Sequence, residues 1–145
     1  MIFLAYNYFK YRISSTENYN YRDWVISVTE KFFPGEEYIL PYSQYSRKQL
    51  VEKLKCNDSL IKGFFNDDLP IIMKFCNKLL FFPTENNYIG SGMLHEIVYA
   101  KKENIPIFCY NKSTENITEN FNLESTKFYE DIKMYNIFCR KVVFS

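Results

Sequence analysis

Residue types that build many catalytic and metal sites are scarce in this sequence. Its 145 residues include one histidine, His95, and four cysteines, of which no two have Cys-x-x-Cys spacing. Structural zinc sites draw on clusters of such ligands at short spacings, and a Ser-His-Asp triad needs a histidine beside its serine. We therefore expect no metal, no cofactor and no hydrolase triad, and we interpret the cysteines as buried free thiols in a reducing compartment.

The chain also lacks an excess of charge of either sign. It has 18 Lys and Arg against 17 Asp and Glu, so the formal net charge is +1. This balance provides no extended positive field for a nucleic-acid backbone and no basic helix for a membrane surface. The opening segment, Met1 to Tyr8, is too short and too polar for a signal peptide or a membrane span. We expect a cytoplasmic protein with no nucleic-acid and no membrane partner.

The sequence does have the composition of a folded domain, with 47% apolar and 24% charged residues. No repeat or linker interrupts it, so we predict one domain over residues 1–145. Apolar runs predict strands at 2–5, 38–40, 79–82, 107–110 and 142–144. Helical spacing or capping residues predict helices at about 19–33, from 46, around 60–65, at 69–76, from 92 and at 124–133. Residues 111–122 have the composition of a loop. This alternation predicts a three-layer α/β sandwich around a doubly wound, mostly parallel sheet of about five strands, of the flavodoxin or Rossmann type.

Residues 78–110 contain the pattern on which a functional hypothesis depends. The apolar run Leu79–Phe82 leads to a polar loop, Gly90-Ser91-Gly92 opens a helix, and the apolar run Ile107–Tyr110 follows. Ligands of such βαβ units collect outside the carboxyl ends of the strands, where the helix begins. Glu96 falls one turn into this helix, at the rim of an apolar arc, and His95 faces the opposite side. The arc consists of Met93, Leu94, Ile97, Val98 and Ala100.

Two interpretations of Glu96 and of the glycine turn fit this pattern. The Glu96 carboxylate suits nucleophilic attack or general-base chemistry, but glutamates are also common in first turns because the helix dipole stabilises them. Backbone N–H groups at Gly90, Ser91 and Gly92 are suited to an anion such as a phosphate. A tight strand-to-helix turn needs glycine for packing alone, and the turn lacks both the third glycine of a dinucleotide fingerprint and the lysine of a P-loop.

Two further segments are candidates for the same crevice. Asp67 and Asp68 precede a helix start, where one of them would serve as the cap and the other is free to point toward the strand ends. Tyr6, Asn7 and Tyr8 leave the first strand at its carboxyl end. Aromatic and amide groups there are suited to stacking on a base and hydrogen-bonding its edge. In a chain with 13 tyrosines, a structural role for Tyr6 and Tyr8 is the alternative.

Three stretches resemble the nucleoside 2-deoxyribosyltransferase superfamily, which includes nucleoside and nucleotide N-glycosidases. They are Asp68-Leu-Pro-Ile-Ile-Met-Lys-Phe-Cys-Asn-Lys-Leu-Leu-Phe-Phe-Pro, Tyr88-Ile-Gly-Ser-Gly-Met-Leu-His-Glu-Ile-Val-Tyr-Ala and Ile105-Pro-Ile-Phe. Members have an aspartate before a short helix, a strand ending near a proline, a glycine turn and Glu-x-x-x-Ala on the following helix. The resemblance covers about 45 residues, with a weaker similarity in the first strand.

The resemblance implies an activity and a role for each matching residue. Glu96 would attack the anomeric carbon of a (deoxy)ribosyl group, and the resulting glycosyl-enzyme would pass to another base or to water. Asp68 would handle the base and its proton, and Gly90 to Gly92 would cradle the sugar or its 5′-phosphate. Tyr8 and Phe9 match aromatics beside the base. The implied partner is a small nucleoside or nucleotide, and a homo-oligomer is implied because neighbouring subunits usually complete the site.

This sequence departs from the family pattern in three places. Phe3 stands where transferases tend to carry a tyrosine, and the loop before the glycines offers amides, including Asn87, where many relatives have an aspartate. The interval from Gly90 to Glu96 is longer than in a typical transferase. Hydrolysis, a different glycosyl substrate such as a dinucleotide, and non-catalytic nucleotide binding therefore stay open. A receiver module is disfavoured because Tyr6-Asn7 replaces an acidic pair, and a flavodoxin because the first loop lacks a Ser/Thr-Gly run.

Overall fold

The computed structural model describes residues 1–6, 15–40, 69, 70, 72–84, 86–131 and 136–145, with the backbone alone for 15–19, 126–131 and 136–139. The helices are α1 (Ser15–Phe32) and α2 (Ser91–Lys102). The strands are β1 (Ile2–Ala5), β2 (Tyr38–Ile39), β3 (Lys78–Phe81), β4 (Tyr88–Gly90), β5 (Ile107–Asn111), β6 (Asn116–Thr118), β7 (Phe121–Asp131) and β8 (Asn136–Phe144).

The main sheet has five strands in the order β2-β1-β3-β5-β6. β1 pairs in parallel with β2 and β3, and β3 pairs in parallel with β5, whereas β6 runs antiparallel to β5. All four residues of β1 are fully buried. Central parallel strands are covered on both faces and therefore read as continuous apolar runs, which is why these strands were predictable. The predicted α/β character with a mostly parallel five-stranded sheet is confirmed.

Apolar side chains pack into two clusters, one on each face of this sheet. Phe3 and Ala5 of β1 belong to the first cluster, and Ile2 and Leu4 belong to the second, as expected from the alternation of side chains along a strand. Helix α1 supplies residues to the second cluster, including Val25 and Val28. Helix α2 supplies Met93, Ile97 and Ala100 to the first cluster. The two helices therefore pack against opposite faces.

Sequence signals set the ends of both helices. Helix α1 is followed by Pro34 and by Gly35, whose φ of 77° lies in the left-handed region that glycine adopts without strain. Helix α2 carries Lys101 and Lys102 in its last turn, where cations complement the helix dipole, and Asn104 follows with a φ of 56°. One prediction for α2 was wrong. Val98 lies outside the buried arc and is 55% exposed, because residues 93, 96, 97 and 100 form the buried stripe.

A second sheet, which was not predicted, contains β4, β8 and β7 in that order, all antiparallel. The predicted helix at 124–133 was wrong, since β7 extends through Asp131 and pairs along β8. Residues 111–122 are not all loop, because β6 forms a hairpin with β5. The predicted strand at 142–144 is confirmed as part of β8, but it lies in this second sheet.

Other predictions fall partly or wholly outside the described residues. The helices predicted from 46 and around 60–65 lie outside them. In the helix predicted at 69–76, residues 69, 70, 72 and 73 are helical, and a turn follows at 74 and 75. Among the described residues, no helix combines the length and the apolar character needed to cross a membrane.

Candidate functional site

The connections of the main sheet change direction between β1 and β3. From β1 the chain passes through α1 to β2, which neighbours β1 on the side away from β3. From β3 it passes through β4 and α2 to β5, which neighbours β3 on the side away from β1. Ala5 and Phe81, the last residues of the two strands, are directly paired, and the Phe82 N–H donates to the Ala5 carbonyl at 2.9 Å. In open α/β sheets, ligands bind in the crevice outside the strand ends at such a switch point. We call this place the switch-point crevice.

Glu96 is the most unusual side chain of α2, the helix that leads from β4 to β5. It is 6% exposed, and the only other buried polar residue among those described is Thr29. The Thr29 hydroxyl donates to the Val25 carbonyl at 2.8 Å, which satisfies it within its own helix. The Glu96 carboxyl has no hydrogen bond or ion pair within the described part of the chain. Sequence analysis placed Glu96 at the rim of the buried face, and the structure places it deeper.

Burial changes the protonation state of Glu96. Loss of hydration raises the pKa of its carboxyl from the ordinary 4.5 to about 8, because the charged form is the one that burial penalises. The carboxyl is therefore mostly neutral at pH 7. Perturbed acids of this kind are concentrated at functional sites, although structural networks also produce them. Here no charged partner contributes to the shift, so a structural network does not account for it.

Helix α2 begins without the capping that most helices have. Its N-cap residue, Gly90, is extended (φ −87°, ψ 176°), no side chain caps the helix, and the first turn has no acidic residue. Ser91 and Gly92 are exposed. A Cβ added to Gly92 would meet no atom within 4 Å, so packing within the described residues does not require glycine there. The N–H groups of this turn have the geometry of an anion-binding helix start.

The loop before this helix is held by backbone hydrogen bonds. The Thr84 N–H donates to the Tyr88 carbonyl at 3.0 Å, and the Asn87 N–H donates to the Thr84 carbonyl at 2.9 Å. Asn87 has a φ of 64°, a left-handed conformation that asparagine tolerates better than most residues. Its carbonyl accepts the Val142 N–H at 2.7 Å. The backbone of Asn87 therefore fastens the loop to β8, which is a structural role for a residue predicted to bind substrate.

An aromatic cluster occupies the carboxyl edge on the α1 face. Tyr6 follows β1, Phe82 follows β3 and Tyr110 is the penultimate residue of β5. The Trp24 ring of α1 lies 5.6 Å from Phe82 and 5.2 Å from Tyr110, and Tyr21 lies 6.0 Å from Tyr6. Sequence analysis named Tyr6 alone from this set. The spacing of Tyr21 and Trp24, one helical turn apart, was the available signal, but the abundance of aromatic residues obscured it.

The structure describes the following proposed site residues: Tyr6 after β1, Asn87 in the loop before β4, Gly90 at the end of β4, and Ser91, Gly92 and Glu96 on α2. Asp68, Asn7, Tyr8 and Phe9 lie outside the described residues. Phe3, which stands in place of a family tyrosine, is fully buried in the same cluster as Met93 and Ile97, on the Glu96 side of the sheet.

Two cavities among the described residues lie at the opposite edge, beside the amino ends of β3 and β5. One has a volume of about 220 Å³ and contacts Cys76, Tyr99 and Glu103, and the other, of about 420 Å³, contacts Lys101, Pro106 and Phe121. Cys76 and Cys109 are free and buried, and burial raises the pKa of the Cys76 thiol to about 12, which leaves it unreactive. No group of three or more potential metal ligands occurs among the residues described.

Comparison of the chain with protein-family models, with curated proteins and with solved structures gave no match. Its function must therefore be inferred from the residues of the crevice.

Proposed function

We propose that this chain catalyses N-glycosyl transfer or hydrolysis on a nucleoside or nucleotide, with Glu96 as the nucleophile. One observation carries the proposal: a buried carboxyl without a partner among the described residues lies on α2, the helix that follows β3 and β4 in the chain. Burying such a group costs stability, and a function is the simplest reason for retaining it. The proposal includes a doubly wound, three-layer fold of the deoxyribosyltransferase type.

The reaction would proceed in two displacements. A Glu96 oxygen bonds to the anomeric carbon while the bond from that carbon to the base nitrogen breaks, and the base leaves with the bonding electrons. Asp68, by the resemblance, or a water molecule supplies the proton that the departing base requires. A second base or a water molecule then attacks the same carbon and releases the Glu96 carboxylate. The logic is that of retaining glycosidases, in which a carboxylate replaces one difficult step by two easier ones.

Other features of the crevice support a nucleoside-like substrate. The Tyr21 ring, which is half-buried beside Tyr6 on the α1 face, would offer apolar surface for a base. The uncapped start of α2 offers backbone donors for a sugar hydroxyl or a phosphate, and the bare Cα of Gly92 permits close approach. These groups suit the base and the sugar, respectively, on either side of the bond that breaks.

The buried state of Glu96 makes the mechanism dependent on pH. A carboxyl must be ionised to attack, and with a pKa of about 8 only about one-tenth of it is ionised at pH 7. Base release should therefore increase with pH and level off above pH 8. If Glu96 instead acted as a general acid, the rate would fall over the same range.

The neutral state of Glu96 favours a second candidate function, a non-catalytic protein that binds or senses a nucleotide-like ligand. A protonated carboxyl both donates and accepts hydrogen bonds, so it could recognise a ligand without reacting with it. In this case the crevice would bind the ligand and leave it intact.

A base-release assay separates the two candidates. The wild type, Glu96→Gln and Glu103→Gln are incubated with nucleosides, nucleoside monophosphates and dinucleotides, and free base is measured by chromatography. Glu103 is the matched control, because it is an exposed glutamate at the C-cap of the same helix. The enzyme proposal predicts release by the wild type and by Glu103→Gln but not by Glu96→Gln. An inert wild type whose melting temperature rises with one of these compounds would support the binding function instead.

Two further expectations belong to this proposal. We propose a homo-oligomer in which a neighbouring subunit completes the crevice, and a cytoplasmic location. Sedimentation of the purified protein tests the first, and a monomer with full activity would contradict it.

A further inference from the structure

We propose that the sheet of β4, β8 and β7 covers Glu96 with an apolar surface, which we call the apolar wall. Ile89 and Val142 belong to this wall and act as positioning residues that exclude water from the Glu96 carboxyl. This deepens the assignment of Glu96 and rests on the proposed function only where activity is measured. Nothing in the sequence pattern assigned these residues to the site, because β4 lay in a predicted loop and β8 was expected to close the main sheet.

Packing connects the two residues to the helix that carries Glu96. Ile89 is fully buried and Val142 is 1% exposed, and both lie in the cluster that contains Met93 and Ile97. Those two α2 residues share the buried stripe with Glu96. Helix α2 contacts β4 and β8 as well as β3 and β5 of the main sheet. The stripe is therefore enclosed between the two sheets, which accounts for the deep burial of a residue expected at the rim.

Backbone hydrogen bonds fix the positions of Ile89 and Val142 in this wall. The Val142 N–H donates to the Asn87 carbonyl at 2.7 Å, and Val142 pairs with Leu123 of β7 on its other side. Ile89 pairs with Arg140, and the register shifts between Ile89 and Gly90, where β4 ends and α2 begins. These bonds hold the backbone of both residues in place, so the apolar side chains would limit the access of water to Glu96 as long as the second sheet is intact.

Ionisable groups on the elements that contact α2 are few among the described residues. They are Lys78 on β3, which pairs with Glu36, Tyr88 on β4, Cys109 and Tyr110 on β5, and Arg140 and Lys141 on β8. Helix α2 itself adds His95, Tyr99, Lys101 and Lys102. Burial alone accounts for the state of Glu96, and none of these groups contributes. The apolar wall is therefore the feature to alter.

Val142→Thr tests the proposal, because it keeps the shape of the side chain and adds a hydroxyl to the wall. The pKa of Glu96 is measured from the pH dependence of its side-chain carboxyl ¹³C signal, assigned with Glu96→Gln. We expect the pKa to fall by about one pH unit, since a polar neighbour stabilises the carboxylate. Val25→Thr is the matched control, because Val25 is fully buried in the cluster on the other face. It should leave the Glu96 pKa unchanged.

Val142→Ala provides a second test if the threonine variant does not fold. It opens room for water beside a polar group, and a fall of the pKa is again expected. An unchanged Glu96 pKa in the folded Val142 variants, or an equal fall in Val25→Thr, would overturn the proposal. Where base release occurs, the midpoint of its pH profile should fall with the pKa. If the Glu96 pKa falls as expected but the protein releases no base, the proposed function is refuted and the role of the apolar wall is supported.

Discussion

Replacing Glu96 by glutamine should make the protein more stable at neutral pH. The glutamine amide has nearly the shape of the carboxyl but cannot ionise, so the variant removes the cost of holding an acid in a largely buried position. Functional sites commonly retain groups that lower stability. If Glu96 had only a structural role, replacing its buried carboxyl would be expected to lower the free energy of unfolding and not to raise it.

The magnitude follows from proton linkage. The unfolded chain ionises Glu96 near its ordinary pKa of 4.5, whereas the folded chain does so at about 8. Below pH 4.5 both states hold the proton and the full stability is present. As the pH rises from 4.5 to 8, the unfolded state loses the proton first, and folding stability falls by about 1.4 kcal/mol per pH unit. The loss reaches about 3 kcal/mol at pH 7 and about 5 kcal/mol above pH 8.

Urea unfolding from pH 4 to 9 measures this effect in the wild type and in Glu96→Gln. The sequence has a single tryptophan, Trp24, and its ring packs on Phe82 and Tyr110 on the face opposite the α2 side, so its fluorescence reports unfolding in both proteins. The two free energies of unfolding should agree within about 1 kcal/mol at pH 4 and separate as the pH rises. Parallel pH profiles would refute the conclusion that Glu96 is buried without compensation.

Substitutions at three further positions have expected outcomes. Gly92→Ala should stabilise α2 by about 0.5–1 kcal/mol in thermal unfolding, because the added methyl has free space, but should weaken any ligand bound at the helix start; undiminished binding would contradict close approach there. Asn87→Ala should cost about 1 kcal/mol through its left-handed backbone, and Asn87→Gly should cost less, by the same measurement. Lys78→Met breaks the 2.7 Å contact of Lys78 Nζ with Glu36 at the opposite edge, so it should cost at most about 1 kcal/mol and leave base release unchanged.

The main sheet could be predicted because its signals are local. The run Ile2–Ala5 is apolar throughout, as a strand buried on both faces requires, and Pro34-Gly35 marks the end of α1. The βαβ pattern around Gly90 also predicted the helix that carries Glu96 and the strands β3 and β5 that flank it in the chain. These features depend on neighbouring residues, which a single sequence displays.

The second sheet could not be predicted because its signals are remote. Glu124 to Lys133 carries charges compatible with an exposed helix, and only the pairing of β7 with β8 makes the part up to Asp131 a strand. The depth of Glu96 and the exposure of Val98 depend on where β4 and β8 cover α2, and no periodicity within α2 contains that information. The aromatic cluster likewise joins residues from α1 and three strands that are distant in sequence.

Detection of a covalent intermediate tests the central claim, that Glu96 attacks an anomeric carbon. The protein is mixed with a substrate found by base release, quenched in acid within one turnover and measured by intact-protein mass spectrometry, and the modified peptide is then sequenced. We expect a mass increase equal to one glycosyl group, located on Glu96 and absent from Glu96→Gln. Base release with no glycosyl group on the protein, or with the group on another residue, would contradict the assignment of Glu96 as the nucleophile.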